Sequence, residues 1–577
     1  MTENIIPDLK NMSREELKAL CETLREQIKC TVMSNGGHLS SNLGAIELTV
    51  ALHYVFDFPR DKVIFDVGHQ CYAHKLLSGR GKDFDTLRKR GGLSGFPKRE
   101  ESEFDCYNTG HAGTSVSACL GIAKARDIVG EDFNVIAVIG DGSFNNGLVY
   151  EAFNSLRPLN TNVLVILNDN GMSISPTVGS MHEYLEQLSR DDAHRSKVEK
   201  HSNIFARFGF CYDGVYDGND LDVMIGKLTE IKEKLKTQSV ILHILTKKGK
   251  GYSFCEENPQ QTHGITGAGS KVIGSYSEVL GTTLTQFATN NNKIVAVTAA
   301  MTPSLGLSDF FERFPERSID VGICEEHATI LCSALATQGL KPYYAVYSTF
   351  LQRSFDEIIL DVCSQNLPVT FCIDRAGISG EDGETHQGVF DLSFLNFIPN
   401  LTIAVPKDLA EFKAMLKAST EYDSPLAIRY PKDGKRYFSV NGKFEMCKWE
   451  KLGNGNCGIA VLACGERALT SVYSVADKLK ECGIQITIIN ARFVKPLDKI
   501  MLDSLTENII ITVEDNQLIG GFGSTICQYY SENSSVKVKN FAYCDEFIPH
   551  GEAEALIEEF GINKEDIYDY IIKNAVR

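Results

Sequence analysis

The residues most able to do chemistry lie where apolar runs of the chain end in glycines and polar side chains. One apolar run, at 134–139, ends in Gly-Asp-Gly at 140–142, and a second run, at 162–167, ends in Asn-Asp-Asn at 168–170. A helical pattern joins them, so the runs read as neighbouring parallel strands whose polar ends share the edge where α/β proteins bind ligands. The alternative is an ordinary strand–helix–strand unit in which glycine and aspartate serve tight turns. This stretch alone leaves both interpretations open.

Histidines flanked by glycine occur three times near the start of the chain. His38 lies within the glycine-rich segment 36–44, His69 follows an apolar run at 63–67, and His111 precedes a predicted helix. Glycine lets a backbone approach a ligand closely, so we expect these loops to converge on one ligand, although turn geometry also explains each histidine. The lysine- and glycine-rich segment 246–252 suits either a phosphate or a solvated turn.

A carboxylate stands at a similar place later in the chain. Glu325 follows a predicted strand at 318–322 and precedes a predicted helix. Burial there would raise the pKa of its carboxyl and suit proton transfer. Taken by itself, the position of Glu325 is better explained by capping of the helix N-terminus.

The segment 374–388 has the composition of an active-site loop. It gathers a cation, a carboxylate and an imidazole, those of Arg375, Asp382 and His386, among four glycines. Arg429 ends a strand on what should be the same sheet edge. An arginine at such a place binds phosphate or carboxylate through its fork of donors, or forms a structural salt bridge.

Composition excludes several classes of protein. The chain has 577 residues, 43% hydrophobic and 23% charged, with a net charge of −17 that argues against general nucleic-acid binding. No apolar run approaches about 18 residues, so we expect no membrane span. The N-terminus lacks signal- or transit-peptide character, and the 17 cysteines form no C-x-x-C pair, so we expect a cytoplasmic protein with free thiols.

Alternating strand and helix patterns predict an α/β fold with three parallel-sheet domains. The predicted domains span residues 1–270, 275–435 and 450–577, with polar, glycine-rich breaks between them. We interpret the charged segment 181–207 as a solvated connection rather than a mobile cover. The Gly-Gly-Phe-Gly at 520–523 begins a helix of the third domain and could cradle a phosphate, although an isolated match of this kind is weak evidence.

Four sets of residues make the chain resemble the 1-deoxy-D-xylulose 5-phosphate synthase family, thiamine-diphosphate enzymes related to transketolase. They are the segments 66–70, 140–142 with 168–170, 347–353, and 374–388. The last two are characteristic of the synthase family rather than of thiamine enzymes at large. The resemblance covers nearly the whole chain.

The resemblance implies a homodimer of transketolase-type subunits and a defined reaction. The first domain would bind the cofactor's diphosphate with Mg²⁺, and the second would bind its aminopyrimidine. The enzyme would condense pyruvate with D-glyceraldehyde 3-phosphate, with loss of carbon dioxide. The product, 1-deoxy-D-xylulose 5-phosphate, would feed isoprenoid synthesis and, in bacteria, thiamine and pyridoxal phosphate synthesis.

The resemblance also assigns roles to residues of this sequence. The implied Mg²⁺ ligands are Asp141, Asn170 and the carbonyl of Met172. The implied cofactor-binding residues are His69, Gly110, His111, Ala112, Asp141, Gly142, Ser143, Asn170, Tyr252, Glu325 and Phe350. Glu325 would share a proton with the aminopyrimidine, and the other implied catalytic residues, for protons and the substrate carboxylate, are His38, His263 and His386. The triose phosphate would be held by Tyr347, Arg375, Asp382, Arg429 and Arg88.

Some positions depart from the family pattern. Glu326 stands where glutamine is common, Gly171 stands where glutamate is frequent, and the connection after Met172 is shorter than usual. We expect these departures to bear on cofactor activation and substrate preference. Two adjacent acids, Glu325 and Glu326, could raise one pKa.

Three other functions compete with this interpretation. A transketolase-like ketol transferase is argued against by the segment 374–388. A decarboxylating dehydrogenase component would need a lipoyl-domain docking segment, and nothing resembles one. A non-catalytic paralogue that binds the cofactor would be expected to have lost at least one of the residues above.

Overall fold

The computed structural model describes residues 8–172, 177–190, 203–265, 274–434, 436–438 and 443–575. They divide into two compact units. The described residues up to 265, with 322–324, form the first unit, and residues 274–321, with those from 325 onwards, form the second. None of the helices in these ranges combines the length and the apolar character needed to cross a membrane.

The first unit is built on a five-stranded parallel sheet. From edge to edge its strands are Lys62–Phe65, Val135–Gly140, Leu164–Asp169, Val240–Leu245 and Cys211–Asp217. Ile136 and Val138 belong to one apolar core while Ala137 and Ile139 belong to the other, because successive residues of a strand face opposite sides. Burial on both faces explains why these strands read as continuous apolar runs.

Helices cover both faces of this sheet. They are Arg14–Asn35, Leu39–Gly44, Ile46–Val55, Tyr72–Lys75, Ser115–Val129, Asp141–Phe144, Gly147–Leu159, Ser180–Arg190, Ile204–Phe208, Leu221–Lys234 and Ser253–Glu257. The first long helix begins with a capping box, in which Ser13 and Glu16 satisfy each other's backbone N–H groups.

The second unit contains two larger sheets. One has seven strands in the order Phe493–Lys495, Thr402–Ala404, Leu426–Arg429, Thr370–Asp374, Lys341–Tyr347, Ile294–Thr298 and Ser318–Asp320, parallel except for the first. The other has five strands in the order Glu450–Gly453, Thr487–Asn490, Ile459–Cys464, Ile509–Gln517 and Lys537–Tyr543, parallel except for the first. A short antiparallel pair joins Gly274–Ser275 to Asp433–Gly434.

Helices flank these sheets along the chain. Around the seven-stranded sheet they are Tyr276–Asn290, Ser308–Arg313, Glu325–Thr337, Ser348–Leu351, Phe355–Glu357, Asp391–Leu395 and Leu409–Ser419. Around the five-stranded sheet they are Gly465–Glu481, Lys499–Asp503, Phe522–Tyr529, Ala553–Phe560 and Lys564–Asn574.

The C-terminal part of the chain shares a sheet with the part before it. Strand Phe493–Lys495 pairs with Thr402–Ala404 at the edge of the seven-stranded sheet. The predicted second and third domains therefore form one compact unit that contains both larger sheets. The boundary near 435–450 stays a prediction.

The interpretation of the segment 181–207 was wrong. The segment 181–207 is not a plain solvated connection, because its described part includes helix Ser180–Arg190, in which Leu185 is buried. The apolar residues of this helix recur at helical spacing, but they form only a narrow apolar face among many charged residues, so the pattern is weak in the sequence. Residues 191–202 lie outside the described residues. Strand Cys211–Asp217 was missed because Asp213 and Gly214 interrupt its apolar pattern.

Candidate active site

Asp141 and Asn170 lie together where two adjacent strands of the first unit end. The backbone N–H of Asn170 donates to Oδ1 of Asp141 at 3.4 Å, and the hydroxyl of Thr177 donates to Oδ2 at 2.5 Å. The side-chain oxygen Oδ1 of Asn170 is buried and accepts no hydrogen bond in the described structure. A buried oxygen of this kind, beside a carboxylate, suits a hard cation such as Mg²⁺.

Burial shifts the pKa values of two charged side chains at this site. Burial, together with the nearby Asp169, raises the pKa of Asp141 to about 6. Burial also lowers the pKa of Lys248 to about 8, and Asp141 opposes that fall. The composition of the segment 246–252 suits a phosphate, but the sequence does not distinguish Lys248 from the neighbouring lysines. Burial singles out this lysine.

Three histidines of the first unit form a cluster. The ring centroids of His38 and His69 are 5.7 Å apart, and those of His263 lie 5.5 Å from each. Burial, Lys248 and the other two rings keep the pKa of His263 well below its usual range. The structure brings the loops of His38 and His69 together, and His263 joins them from more than 190 residues away. That these loops bind one ligand stays a prediction.

One buried asparagine holds two of these loops together. The Nδ2 group of Asn42 donates to the carbonyls of His38, at 2.6 Å, and His69, at 2.7 Å. Its Oδ1 accepts from the backbone N–H of Tyr72 at 2.8 Å. Asn42 therefore positions the histidine cluster, a role that sequence reasoning missed because an asparagine in a glycine-rich segment carries no signal of its partners.

The loop of His111 is held by Asp66, at the end of the first strand. Oδ1 of Asp66 accepts from the N–H of Gly113 at 2.9 Å, and Oδ2 accepts from the N–H of Ser115 at 3.0 Å. Gly113 has a φ of +82°, and a Cβ there would lie 2.6 Å from Oδ1 of Asn146. The loop with Gly110, His111 and Ala112 is thus tied to the strand that leads to His69.

Gly142 and Ser143 lie in the short buried helix that begins at Asp141. Met172 is half-buried two residues after Asn170. Their expected contacts with cofactor or metal stay predictions.

The neighbours of two other expected residues of the first unit, Arg88 and Tyr252, are defined. Arg88 is buried beside the segment that precedes His38, since a Cβ on Gly37 would lie 3.3 Å from its Cδ. The ring of Tyr252 instead lies 5.4 Å from Nζ of Lys29 and 6.3 Å from the ring of Phe254. The structure brings Arg88 to the histidine loops and gives Tyr252 other neighbours.

Glu325 opens the helix Glu325–Thr337 of the second unit and is buried. Desolvation raises the pKa of its carboxyl to about 7; Glu326 adds to the rise and Arg353 opposes it. Its Oε2 is buried without a hydrogen-bond partner in the described structure. The expected raised pKa is confirmed, and the carboxyl has an open hydrogen-bonding position.

Aromatic and cationic side chains of the second unit form one group. The rings of Tyr347 and Phe350 stack with centroids 5.5 Å apart, and His386 meets Phe350 edge-on at 5.7 Å. The guanidinium carbon of Arg375 lies 4.2 Å from the Tyr347 ring centroid. Asp374 holds this arginine by accepting from its backbone N–H and its Nη1. The structure therefore brings together Tyr347, Phe350, Arg375 and His386.

Arg429 is already engaged within the protein. Its Nε donates to both carboxylate oxygens of Asp391, at 2.8 and 2.9 Å, and its Nη2 donates to the carbonyls of Gly388 and Asp515. Arg429 therefore forms a structural salt bridge with Asp391, as one of the two interpretations of this residue predicted. Asp382 is half-buried in the loop 374–388, just before the turn Gly383–Thr385.

The glycine segment 520–523 is not an open phosphate site. Glu514, from the neighbouring strand, accepts from the N–H groups of Phe522 and Gly523, each at 2.7 Å. A side-chain carboxylate therefore already occupies the start of helix Phe522–Tyr529, where an anion would bind. The phosphate interpretation of this segment was wrong.

Comparison with known proteins agrees with this geometry. A family model described as 1-deoxy-D-xylulose-5-phosphate synthase matches residues 2–203. The models "Transketolase, pyrimidine binding domain" and "Transketolase, C-terminal domain" match residues 274–436 and 448–567.

Curated relatives match over almost their whole length. The 1-deoxy-D-xylulose-5-phosphate synthase of Clostridium tetani is 45% identical, covering 98% of this chain and 98% of the relative. The protein of the same name from Dictyoglomus turgidum is 45% identical, covering 98% of this chain and 97% of the relative. That of Carboxydothermus hydrogenoformans is 43% identical, with 97% and 96% covered. With this identity over nearly its full length, the chain belongs to the 1-deoxy-D-xylulose-5-phosphate synthase family.

Proposed function

We propose that this chain condenses pyruvate with D-glyceraldehyde 3-phosphate, releasing carbon dioxide, to form 1-deoxy-D-xylulose 5-phosphate. Thiamine diphosphate and Mg²⁺ are the proposed cofactors. The activity is the one for which the matched relatives are named. The observation on this chain that carries the proposal is Glu325, a buried carboxyl with a pKa of about 7 and an oxygen that accepts no hydrogen bond.

The polar atoms of each unit fit one part of the cofactor. When bound, thiamine diphosphate supplies the electron sink for decarboxylation and carbon–carbon bond formation. In the second unit, Oε2 of Glu325 offers a buried position to a ring nitrogen of the aminopyrimidine. In the first unit, Asp141 and Asn170 offer oxygens of the type that Mg²⁺ prefers, and the carbonyl of Met172 would add a third.

Glu325 serves as the proton-holding group of the second unit. A carboxyl with a pKa near 7 both gives and takes a proton at neutral pH, which an exposed glutamate does poorly. The stacked rings of Tyr347 and Phe350 would offer an aromatic face to the pyrimidine ring.

The histidines serve proton transfer and carboxylate binding. Burial and the nearby Lys248 keep the pKa of His263 well below its usual range, so its ring is neutral at neutral pH and offers one N–H donor and one acceptor nitrogen. The ring centroids of His38 and His69 each lie 5.5 Å from that of His263, and they are 5.7 Å apart. In the second unit, Nδ1 of His386 is 2.9 Å from the hydroxyl of Thr385, which fixes the orientation of its ring.

Arg375 is the best-supported partner for the phosphate of the aldehyde substrate. Its side chain is 17% exposed and is braced by Asp374 on one side and the Tyr347 ring on the other. Arg429 would contribute at most through Nη1, because Nε and Nη2 already bind within the protein. Arg88 and Asp382 remain further candidates.

We also propose a homodimer in the cytoplasm. All 17 cysteines lie in the described ranges and none is disulfide-bonded, which suits a reducing compartment. Light scattering on the purified protein tests the dimer, and a monomer at micromolar concentration would contradict it.

The reaction is tested by release of labelled carbon dioxide from pyruvate in the presence of thiamine diphosphate and Mg²⁺. We expect release that depends on D-glyceraldehyde 3-phosphate, with formation of a five-carbon ketose phosphate. Glu325→Ala should abolish turnover while the protein still binds the cofactor. Full activity of that variant would contradict the role of Glu325.

Other outcomes would favour the competing functions. Transfer of a two-carbon ketol unit from a ketose phosphate, without use of pyruvate, would identify a transketolase-like enzyme. Cofactor binding without either reaction would identify a non-catalytic paralogue.

A further inference from the structure

The backbone of the loop 374–388 is hydrogen-bonded to a carboxylate of the five-stranded sheet. Oδ1 of Asp515, on strand Ile509–Gln517, accepts from the backbone N–H of Ile378 at 3.3 Å. The hydroxyl of Tyr543, on the neighbouring strand, donates to the same oxygen. Oδ2 of Asp515 pairs with Nη1 of Arg467 at 2.8 Å, and that nitrogen also lies 3.4 Å from the carbonyl of Ala376.

Gly377 brings the loop backbone into direct contact with this carboxylate. Its φ is +78°, and a Cβ at this position would lie 1.7 Å from Oδ2 of Asp515. Gly377 and Gly388 also exchange two backbone hydrogen bonds of 2.7 Å, which close the neck of the loop. Only glycine permits this approach, so the neck of the loop is seated on Asp515.

The far side of the loop has its own anchor in the C-terminal part of the chain. Oε1 of Gln387 accepts from the N–H groups of Ser379 and Gly380, at 2.8 and 3.0 Å. Its Nε2 donates to the carbonyls of Gly380 and Pro549, each at 3.1 Å. Two of the residues expected to act on substrate, Arg375 and His386, therefore each stand next to a backbone segment tied to the five-stranded sheet or its loops.

We propose that Asp515, with Arg467, is a positioning residue for the aldehyde substrate, through the loop that carries Arg375 and His386. Neither side chain belongs to the residues expected to touch the substrate or cofactor. Asp515 is buried at 4% exposure, and its carboxylate joins strand, helix and loop in one network. The C-terminal sheet thus takes part in substrate binding by fixing the backbone geometry of the loop.

This inference rests on the proposed function, so its test has two independent readouts. The first is hydrogen–deuterium exchange of peptides covering 377–388 in the full-length protein. Asp515→Ala should speed exchange in these peptides, because the N–H of Ile378 loses its acceptor, while peptides of strand Ile294–Thr298 stay unchanged. This readout needs no activity.

The second readout is steady-state kinetics with both substrates varied. Because lost charged hydrogen bonds and a displaced loop weaken binding, Asp515→Ala should raise the KM for D-glyceraldehyde 3-phosphate about tenfold or more. The KM for pyruvate should change by less than about twofold if the loop acts on the aldehyde. Asp515→Asn, which keeps the shape and one acceptor oxygen, should fall between Asp515→Ala and the wild type.

Glu411→Gln provides a matched control. Glu411 is an equally buried carboxylate of the second unit, paired with Arg492 at 3.1 Å, and its hydrogen bonds go to residues outside the loop 374–388. This variant should lose thermal stability without the selective change in KM. Equal kinetic profiles for Asp515→Ala and Glu411→Gln, or unchanged exchange at 377–388, would overturn the proposal. A wild-type protein without aldehyde-dependent turnover would instead overturn the proposed function. The exchange result would then decide whether Asp515 fixes the loop 374–388.

Discussion

Replacing Glu325 with Gln should stabilise the cofactor-free protein at pH 8 while abolishing turnover. Burial raises the pKa of this carboxyl from 4.5 to about 7. Each pKa unit corresponds to about 1.4 kcal/mol, so ionised Glu325 costs the folded protein about 3 kcal/mol above pH 7. Gln has the same shape and no charge, and therefore removes that cost.

The sign of the pH dependence follows from the direction of the shift. Below pH 4.5 the carboxyl is protonated in both the folded and the unfolded protein, and it costs nothing. Between pH 4.5 and about 7 the unfolded state ionises first, so the free energy of unfolding falls as the pH rises. The neighbouring charges are Arg353, which opposes the rise, and Glu326, which adds to it, while the buried phenol of Tyr344 lies nearby.

The assay is thermal denaturation of wild type and Glu325→Gln at pH 5 and pH 8, with cofactor and metal removed. The variant should be more stable by about 3 kcal/mol at pH 8 and by about 1 kcal/mol at pH 5. Glu312→Gln, at an exposed glutamate of the same unit, is the control and should show no comparable change. An equal difference at both pH values would refute the desolvation argument and, with it, the assignment of Glu325 as the tuned acid.

Three further substitutions test other parts of the structure. Asp141→Asn should lower Mg²⁺-dependent affinity for thiamine diphosphate at least about tenfold by calorimetry, because it removes the charged ligand of the expected set. Thr177→Val, which removes only the hydroxyl that orients Asp141, should lose less affinity, and the reverse order would contradict the metal assignment. Glu514→Ala should destabilise the protein by about 2 kcal/mol in thermal denaturation, since two helix N–H groups lose their acceptor. Cofactor affinity should not change in that variant, and a fall would restore segment 520–523 as a candidate phosphate site.

Patterns within short stretches of sequence were predicted well because their causes are local. The apolar runs at 134–139 and 162–167 form strands Val135–Gly140 and Leu164–Asp169, and the helical pattern between them forms helix Gly147–Leu159. Apolar runs ending in polar residues correctly located the edge with Asp141 and Asn170. The periodicity of burial and the chemistry of caps depend on a few neighbouring residues, so one sequence is enough to read them.

Interactions between distant segments could not be read in this way. The side chain of Asn42 donates to the carbonyl of His69, and Oγ of Ser41 lies 3.4 Å from Nδ1 of His263, which is 222 residues later. The carboxylate of Asp515 accepts from the N–H of Ile378, which is 137 residues earlier. Nothing in the local sequence of these residues names their partners. The strand at 537–543 was missed for a related reason, since it lies at a sheet edge and is only partly buried.

By itself the sequence determined the α/β class, the strand ends that bear polar residues and, through four sets of motif residues, the family. Only the tertiary structure decided which of the candidate groups are buried and what surrounds them. Burial separates Lys248 from the other lysines of its segment, raises the pKa of Glu325, and leaves Glu514 rather than a phosphate at its helix start. The physical reason is that desolvation and hydrogen-bond satisfaction depend on neighbours in space, which the order of residues along the chain does not reveal.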